Sequence, residues 1–205
     1  MMENAHSLKH NRIMTFVYQY IFYFFCGSIG GWLWEVLLYY IMEGNFRNRG
    51  FFYGPWLPVY GCGAVFFYAL LHRFEKRRIF VFVVSLVTGS CLELLAGWLL
   101  DHFWEKRYWD YSGLPLNLHG YVCLFSALGF GTAGLIWICW LSGFTWRLFN
   151  RSAKKNSQNF SLTTIVNNET PARWQRVLLW LLVLAFVIDL ICALCFPNTG
   201  QGISR

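Results

Sequence analysis

Five long apolar runs separated by polar stretches set the pattern of this chain: Val17–Met42, Pro55–Leu71, Ile79–Leu100, Gly120–Leu141 and Val177–Phe196. The second is the shortest and is expected to begin within the loop before it. The others approach the roughly 20 residues that a helix needs to cross the hydrocarbon core. Uninterrupted runs favour helices over a barrel, whose lipid-facing strands alternate. The expected fold is all-α, a polytopic membrane bundle of about five transmembrane helices. The first run is too long for a signal-peptide core, and no small-x-small cleavage pattern follows it, so it is expected to remain a membrane helix.

The polar and small positions inside these runs form a repeat. Gly27, Gly31 and Glu35 are spaced by four in the first run, as are Ser85, Gly89 and Glu93 in the third. Residues four apart share a helix face, so each helix carries a stripe of small residues ending in a carboxylate. Such stripes let membrane helices approach closely, which aims both acids at protein. After each acid comes a similar segment, "NRGFFYGPWLPVYG" (48–61) and "RYWDYSGLPLNLHG" (107–120). Two parallel-repeat hairpins, 1–71 and 72–143, are thus expected to form a membrane domain over 1–143. A polar loop at 144–176 and a fifth helix with a short tail at 177–205 complete the expected organisation.

Composition sharpens this picture. The 205 residues are 57% hydrophobic and only 13% charged, against about 25% charged in soluble domains. The net charge of +7 could suggest nucleic acid, but its placement reads as topology. Lys9, Arg12, Arg73, Lys76, Arg77, Arg78, Arg147, Arg151, Lys154, Lys155, Arg173 and Arg176 fall on one side of the expected membrane. Only Arg47, Arg49, Lys106, Arg107 and Arg205 fall on the other. The positive-inside rule then puts the N-terminus in the cytoplasm, the C-terminus outside and the 144–176 loop in the cytoplasm. The seven cysteines lie within or at the ends of apolar runs and read as buried small hydrophobes rather than a disulfide framework.

Depth and topology bring three intramembrane acids, Glu35, Glu93 and Asp189, to the outer half, together with both repeat segments. A carboxylate in a membrane helix costs about 2.5–3.5 kcal/mol on insertion scales. Two readings stand. The glutamates form a polar site, facing each other across a pseudo-twofold axis, with Arg49, Arg107, Asp110 and Asn117 at its mouth. Alternatively they are structural, paired with Arg49 and Arg107 or with Tyr and Trp donors. Asn48, Trp109 and Tyr111 join the candidates from the repeat segments. Asp189 is read as capping a packing contact, as facing Ser90 of the third helix, or as a further member of the site. Asp110 also suits a turn. Trp32, Trp34, Tyr53, Trp56, Trp109 and Tyr111 are expected to supply much of an outer aromatic belt. Helix starts near Gly54-Pro55 and Asn117–Gly120 would direct free N–H groups either at an external anion or at the chain's own Glu35, Glu93 and Asp110. His119 reads as a loop residue, and no metal or other cofactor is expected.

Walker A, GxSxG, HExxH and dinucleotide patterns are all absent. ATP-driven transport would therefore need a separate ATP-binding subunit. The series Gly31-Trp32, Glu35, Asn48-Arg49-Gly50-Phe51, Gly54-Pro55, Pro58, Tyr60-Gly61-x-Gly63, Glu93, Trp109-Asp110-Tyr111-Ser112, Pro115, Asn117 and Gly120 resembles the bacterial ABC-transporter permease family of CmpB type. The resemblance covers roughly residues 20–141. It implies a bacterial plasma-membrane transport component, and assigns no catalytic or binding residue. The partners expected are the lipid bilayer and such an ATP-binding subunit, with a homo-oligomer left open. Rival readings are a membrane enzyme acting on a lipid or envelope substrate, using two carboxylates as acid and base, and a non-catalytic assembly or sensing protein.

Overall fold

A computed structural model describes residues 2–46, 48, 50–105, 107, 109–154 and 171–196. Its elements are helical: α1 (Met2–Glu43), α2 (Pro58–Leu71), α3 (Arg78–Trp104), α4 (Leu124–Ile136), α5 (Ser142–Lys154) and α6 (Arg173–Cys195). A 3-10 turn, His72–Phe74, follows α2, and a π turn, Trp137–Leu141, joins α4 to α5. Four stretches are long and apolar enough to cross a membrane: Ile13–Glu43, Arg78–Phe103, Leu124–Asn150 and Arg173–Cys195. Only 11–28% of each apolar window is buried inside the protein. An apolar exterior on this scale needs lipid as its solvent. The α2 helix extends about 21 Å, and its 3-10 turn adds about 6 Å, just short of the roughly 30 Å core.

Local chemistry explains the helix ends. The α1 helix stops at Gly44, whose φ of +71° permits the left-handed cap; its N–H donates to the Tyr40 carbonyl at 3.0 Å. The α2 helix opens on Pro58 rather than near Gly54-Pro55, and a proline loses nothing in a first turn whose N–H has no helical partner. The α4 helix opens at Leu124, later than the expected Asn117–Gly120. Here Cys123 is the N-cap: its Sγ accepts from the Ser126 N–H at 3.4 Å, and its own N–H donates to Ser126 Oγ at 3.1 Å. Beyond Leu141 the chain stays helical to Lys154, inside the stretch read as a polar loop. The rest of that loop, at 155–170, lies outside the described residues.

The chain divides into two compact units, one drawn from 1–65 and 144–202, the other from 66–143. In the first, α1 packs on α6. Its core gathers Phe25, Phe52 and Trp56 with Leu182, Val183, Phe186 and Leu190, and Phe52 stacks on Phe186 at 5.2 Å. Trp56 is thus a core residue, not part of an aromatic belt. Gln175, fully buried at the base of α6, accepts from the Ala172 N–H at 2.8 Å and donates to the Phe149 carbonyl of α5. In the second unit α3 packs on α4, over a core of Phe67, Leu71, Val81 and Ile138.

The small-residue stripes lie at helix contacts. A Cβ on Gly27 would come within 2.7 Å of Ala64 Cβ and 2.8 Å of the Tyr60 carbonyl oxygen. Gly31 lies against the Tyr60 ring, and in the second unit Gly89 lies against Phe130 while Ser85 lies against Gly134. Gly30, one position from Gly31, has open space around its missing Cβ. We expect Gly27→Val to cost about 1–3 kcal/mol through overpacking. Gly30→Ala should be neutral or stabilise by up to about 1 kcal/mol from helix propensity. Thermal melting in detergent micelles checks both: equal melting temperatures for the two variants would contradict the contact.

Candidate functional site

In the first unit, the chain between α1 and α2 is shaped by polar side chains of the flanking helices. Asn48 accepts from Trp32 Nε1 at 2.6 Å and donates to the Tyr53 carbonyl at 2.9 Å. Asp189 on α6 then takes three donors from the next turn. The Tyr53 N–H reaches Oδ1 at 3.0 Å, and the Gly54 N–H and Trp56 Nε1 reach Oδ2 at 2.8 and 2.6 Å. Two successive amides facing one anion make a small nest, and the protein's own carboxylate fills it. The anion-binding capacity expected of the Gly54 region is therefore used internally. The Tyr53 hydroxyl adds a bond to the Phe196 carbonyl at 2.7 Å, tying the turn to the end of α6. Glu35, half-buried on α1, accepts from the Tyr60 hydroxyl in the first turn of α2 at 3.0 Å. Arg49, expected beside it, lies outside the described residues.

In the second unit, the loop between α3 and α4 is held by its own side chains. The Arg107 guanidinium donates to the His119 carbonyl and stands 3.6 Å from Asp110. Its cation sits 4.8 Å from the Tyr121 ring centre. Asp110 accepts from the Ser112 N–H at 3.0 Å and from the Ser112 hydroxyl. These bonds, the hydroxyl first, lower its pKa from the ordinary aspartate value, so it is ionised at neutral pH. Asp110 is both a turn residue and the partner of Arg107. Asn117 donates to the Leu114 carbonyl at 2.8 Å and accepts from the Gly120 N–H at 3.1 Å. Trp109 Nε1 donates to the Tyr121 carbonyl at 2.8 Å.

Glu93 projects from α3 toward this loop and accepts from the Tyr111 hydroxyl at 3.1 Å. Burial, then the Glu93 charge, raise the Tyr111 pKa, which keeps the phenol a donor. The second carboxylate oxygen, Oε2, is buried and accepts no hydrogen bond from the protein. The Ser126 hydroxyl stands within hydrogen-bonding reach of the carboxyl group, but its single proton is directed at the Cys123 carbonyl at 3.0 Å. Asp189, by contrast, has both oxygens engaged. One carboxylate is saturated; the other can still accept a proton or a donor from a ligand.

Asp101 and Tyr121 belong to this arrangement but were not among the sequence candidates. The Tyr121 hydroxyl donates to Asp101 at 2.6 Å, and this bond raises its pKa. Asp101 follows Glu93 by eight residues, close to two helical turns, so the shared face was a readable signal. Tyr60, which holds Glu35, was visible only as part of a motif. Among the described residues no group of His, Cys, Asp and Glu could hold a metal ion.

Since Asp189 is the shared acceptor for the whole 53–56 turn, Asp189→Asn should destabilise the protein by about 2–3 kcal/mol, through lost charge-assisted bonds and an amide turned against donors. A drop in melting temperature, with increased protease sensitivity near Tyr53, is the expected result. An unchanged melt would show that the clamp carries no stability.

A family model described as "Putative ABC-transporter type IV" matches residues 22–194. No curated protein and no solved structure matches the chain.

Proposed function

Because the chain belongs to this ABC-transporter type IV family, we propose that it is the membrane-spanning component of an ATP-driven transporter in the bacterial plasma membrane. Membrane helices and family membership support transport as the broad function. With no nucleotide-binding motif in the sequence, a separate ATP-binding subunit must supply the energy. The observation that carries the site is the difference between the acids. A purely structural carboxylate in a membrane helix should be saturated, as Asp189 is. Glu93 keeps a buried oxygen whose nearest hydroxyl, that of Ser126, directs its proton at the Cys123 carbonyl instead, and an incompletely paired acid in a membrane helix is functional by default. Glu93 is the group that meets a substrate donor, ion or proton. Tyr111 orients it, and Arg107, Asp110, Asn117 and Trp109 hold the loop that carries Tyr111. Glu35 with Tyr60 takes the corresponding part in the other unit, with Asn48 shaping its loop and Arg49 nearby in sequence.

Gentle purification followed by mass spectrometry tests the reading. A stoichiometric ATP-binding subunit should accompany the chain. Glu93→Gln should lower ATP hydrolysis by the complex at least about tenfold, roughly 1.4 kcal/mol in the barrier, while leaving the complex and its membrane insertion intact. A chain that purifies without any ATP-binding subunit contradicts the transporter reading. An intact complex with full activity in the variant removes Glu93 from the site.

The distribution of Lys and Arg supports a cytoplasmic N-terminus and outer loops at 44–57 and 105–123. A cysteine introduced at Gly113 should react with a membrane-impermeant thiol reagent in intact cells, and one introduced at Glu75 should not. The opposite labelling pattern would invert the topology.

A further inference from the structure

An open groove of about 880 Å³ lies in the second unit, along α3 and the loop that follows it. One wall is apolar: Cys91, Leu94, Leu95 and Trp98 line it from α3, at spacings that put all four on one helix face. This stretch belongs to the membrane span Arg78–Phe103. Leu95 and Trp98 are 52% and 46% exposed, so the wall opens to the bilayer. The far end is polar, formed by Arg107, Ser112, Asn117, His119 and Tyr121. Arg107 lies three residues beyond the end of α3, where an arginine reaches the head-group level.

The cation at that end is fixed in place. One nitrogen donates to the His119 carbonyl, and the Tyr121 ring lies 4.8 Å away. Its contact with Asp110, at 3.6 Å, is an ion pair too long for a hydrogen bond. The guanidinium therefore keeps donor capacity, and 37% of its side chain is exposed. The loop holds this shape with Leu116 at φ +54° and His119 at φ +52°, conformations that non-glycine residues keep only where surrounding contacts impose them. An apolar trough in the span, ending at a pre-positioned arginine, fits an acyl chain joined to an anionic head group such as a phosphate. The volume lies within the roughly 300–1,000 Å³ of ligand sites, and Arg is the side chain best suited to phosphate oxygens.

We propose that this groove binds an anionic phospholipid, its acyl chain along Cys91, Leu94, Leu95 and Trp98 and its phosphate on Arg107. The site does not depend on the transporter reading, because occupancy is measured without an ATP-binding subunit or any turnover. The purified protein is exchanged into detergent containing phosphatidylglycerol and phosphatidylcholine with identical chains, and retained lipids are counted by native mass spectrometry. Wild type should retain phosphatidylglycerol about tenfold better than phosphatidylcholine. Arg107→Gln should retain one phosphatidylglycerol fewer per chain. Leu95→Trp, which fills the trough without touching the loop, should show the same loss, and it carries the test if Arg107→Gln does not elute as a single species. Glycerol phosphate and inorganic phosphate should not displace the lipid. Equal retention of the two lipids, or unchanged retention in Leu95→Trp, overturns the proposal. Displacement by free phosphate as effective as by lipid also overturns it, since the ligand would then be a soluble anion.

Discussion

A carboxylate placed in an apolar helix must find hydrogen-bond donors or lose its charge, and the loops between these helices are shaped around that demand. Helical backbone has no donors to spare, so they come from connecting segments or aromatic side chains. Asp189 draws two main-chain amides and the Trp56 indole. Glu35 and Glu93 draw the phenols of Tyr60 and Tyr111. Each bond costs less in entropy because the donor's own segment is already fixed. Asn48 positions the Tyr53 turn, and the bond from the Tyr111 N–H to the Gly120 carbonyl at 2.9 Å positions Tyr111. The acids thus act as organisers of the loops, and the loops as solvent for the acids.

Close helix contact is what brings such donors within reach. Lipid gives helices no hydrophobic reason to associate, so contact rests on packing between small residues. Gly27 and Gly31 let the start of α2 lie on α1, which places the Tyr60 hydroxyl against Glu35 one turn further along. Gly89 and Ser85 do the corresponding work between α3 and α4. Stripe and acid are therefore one device. The small residues set the distance, and the acid at the end of the stripe receives a donor at that distance.

Helical class and family were legible because both depend on local signals: apolar run length, and a motif series spread through the loops. The stripes were legible because four-residue spacing fixes a face whatever the partner. Partners were not. Asp189 was open to several readings because two of its three donors are main-chain amides 135 or more residues away, and an amide leaves no mark in a sequence. The helix starts were misplaced for a similar reason. Pro55 and Pro58 both suit a first turn, and Asp189 decides between them by holding Tyr53–Trp56 in a turn that is not helical. Cys123 as an N-cap was unreadable, since a thiol is a weak acceptor rarely chosen for that position.

The two loop segments show where similarity of sequence and similarity of chemistry part. Aligned without gaps, the segments 48–61 and 107–120 pair Tyr60 with His119 and Phe52 with Tyr111. Both glutamates receive a tyrosine hydroxyl, yet from non-equivalent positions: one in the first turn of a helix, the other in a loop. The requirement is conserved within the chain while the residue that meets it has moved. The surroundings differ accordingly. The first loop is anchored by an acid on α6 that takes three donors, and the second by Arg107, Asp110 and Asn117 within the loop itself. Two units that share a stripe and an acid need not share a ligand. An arginine with donor capacity beside an open trough belongs to the second unit, whereas the first spends the amides of its matching turn on its own aspartate.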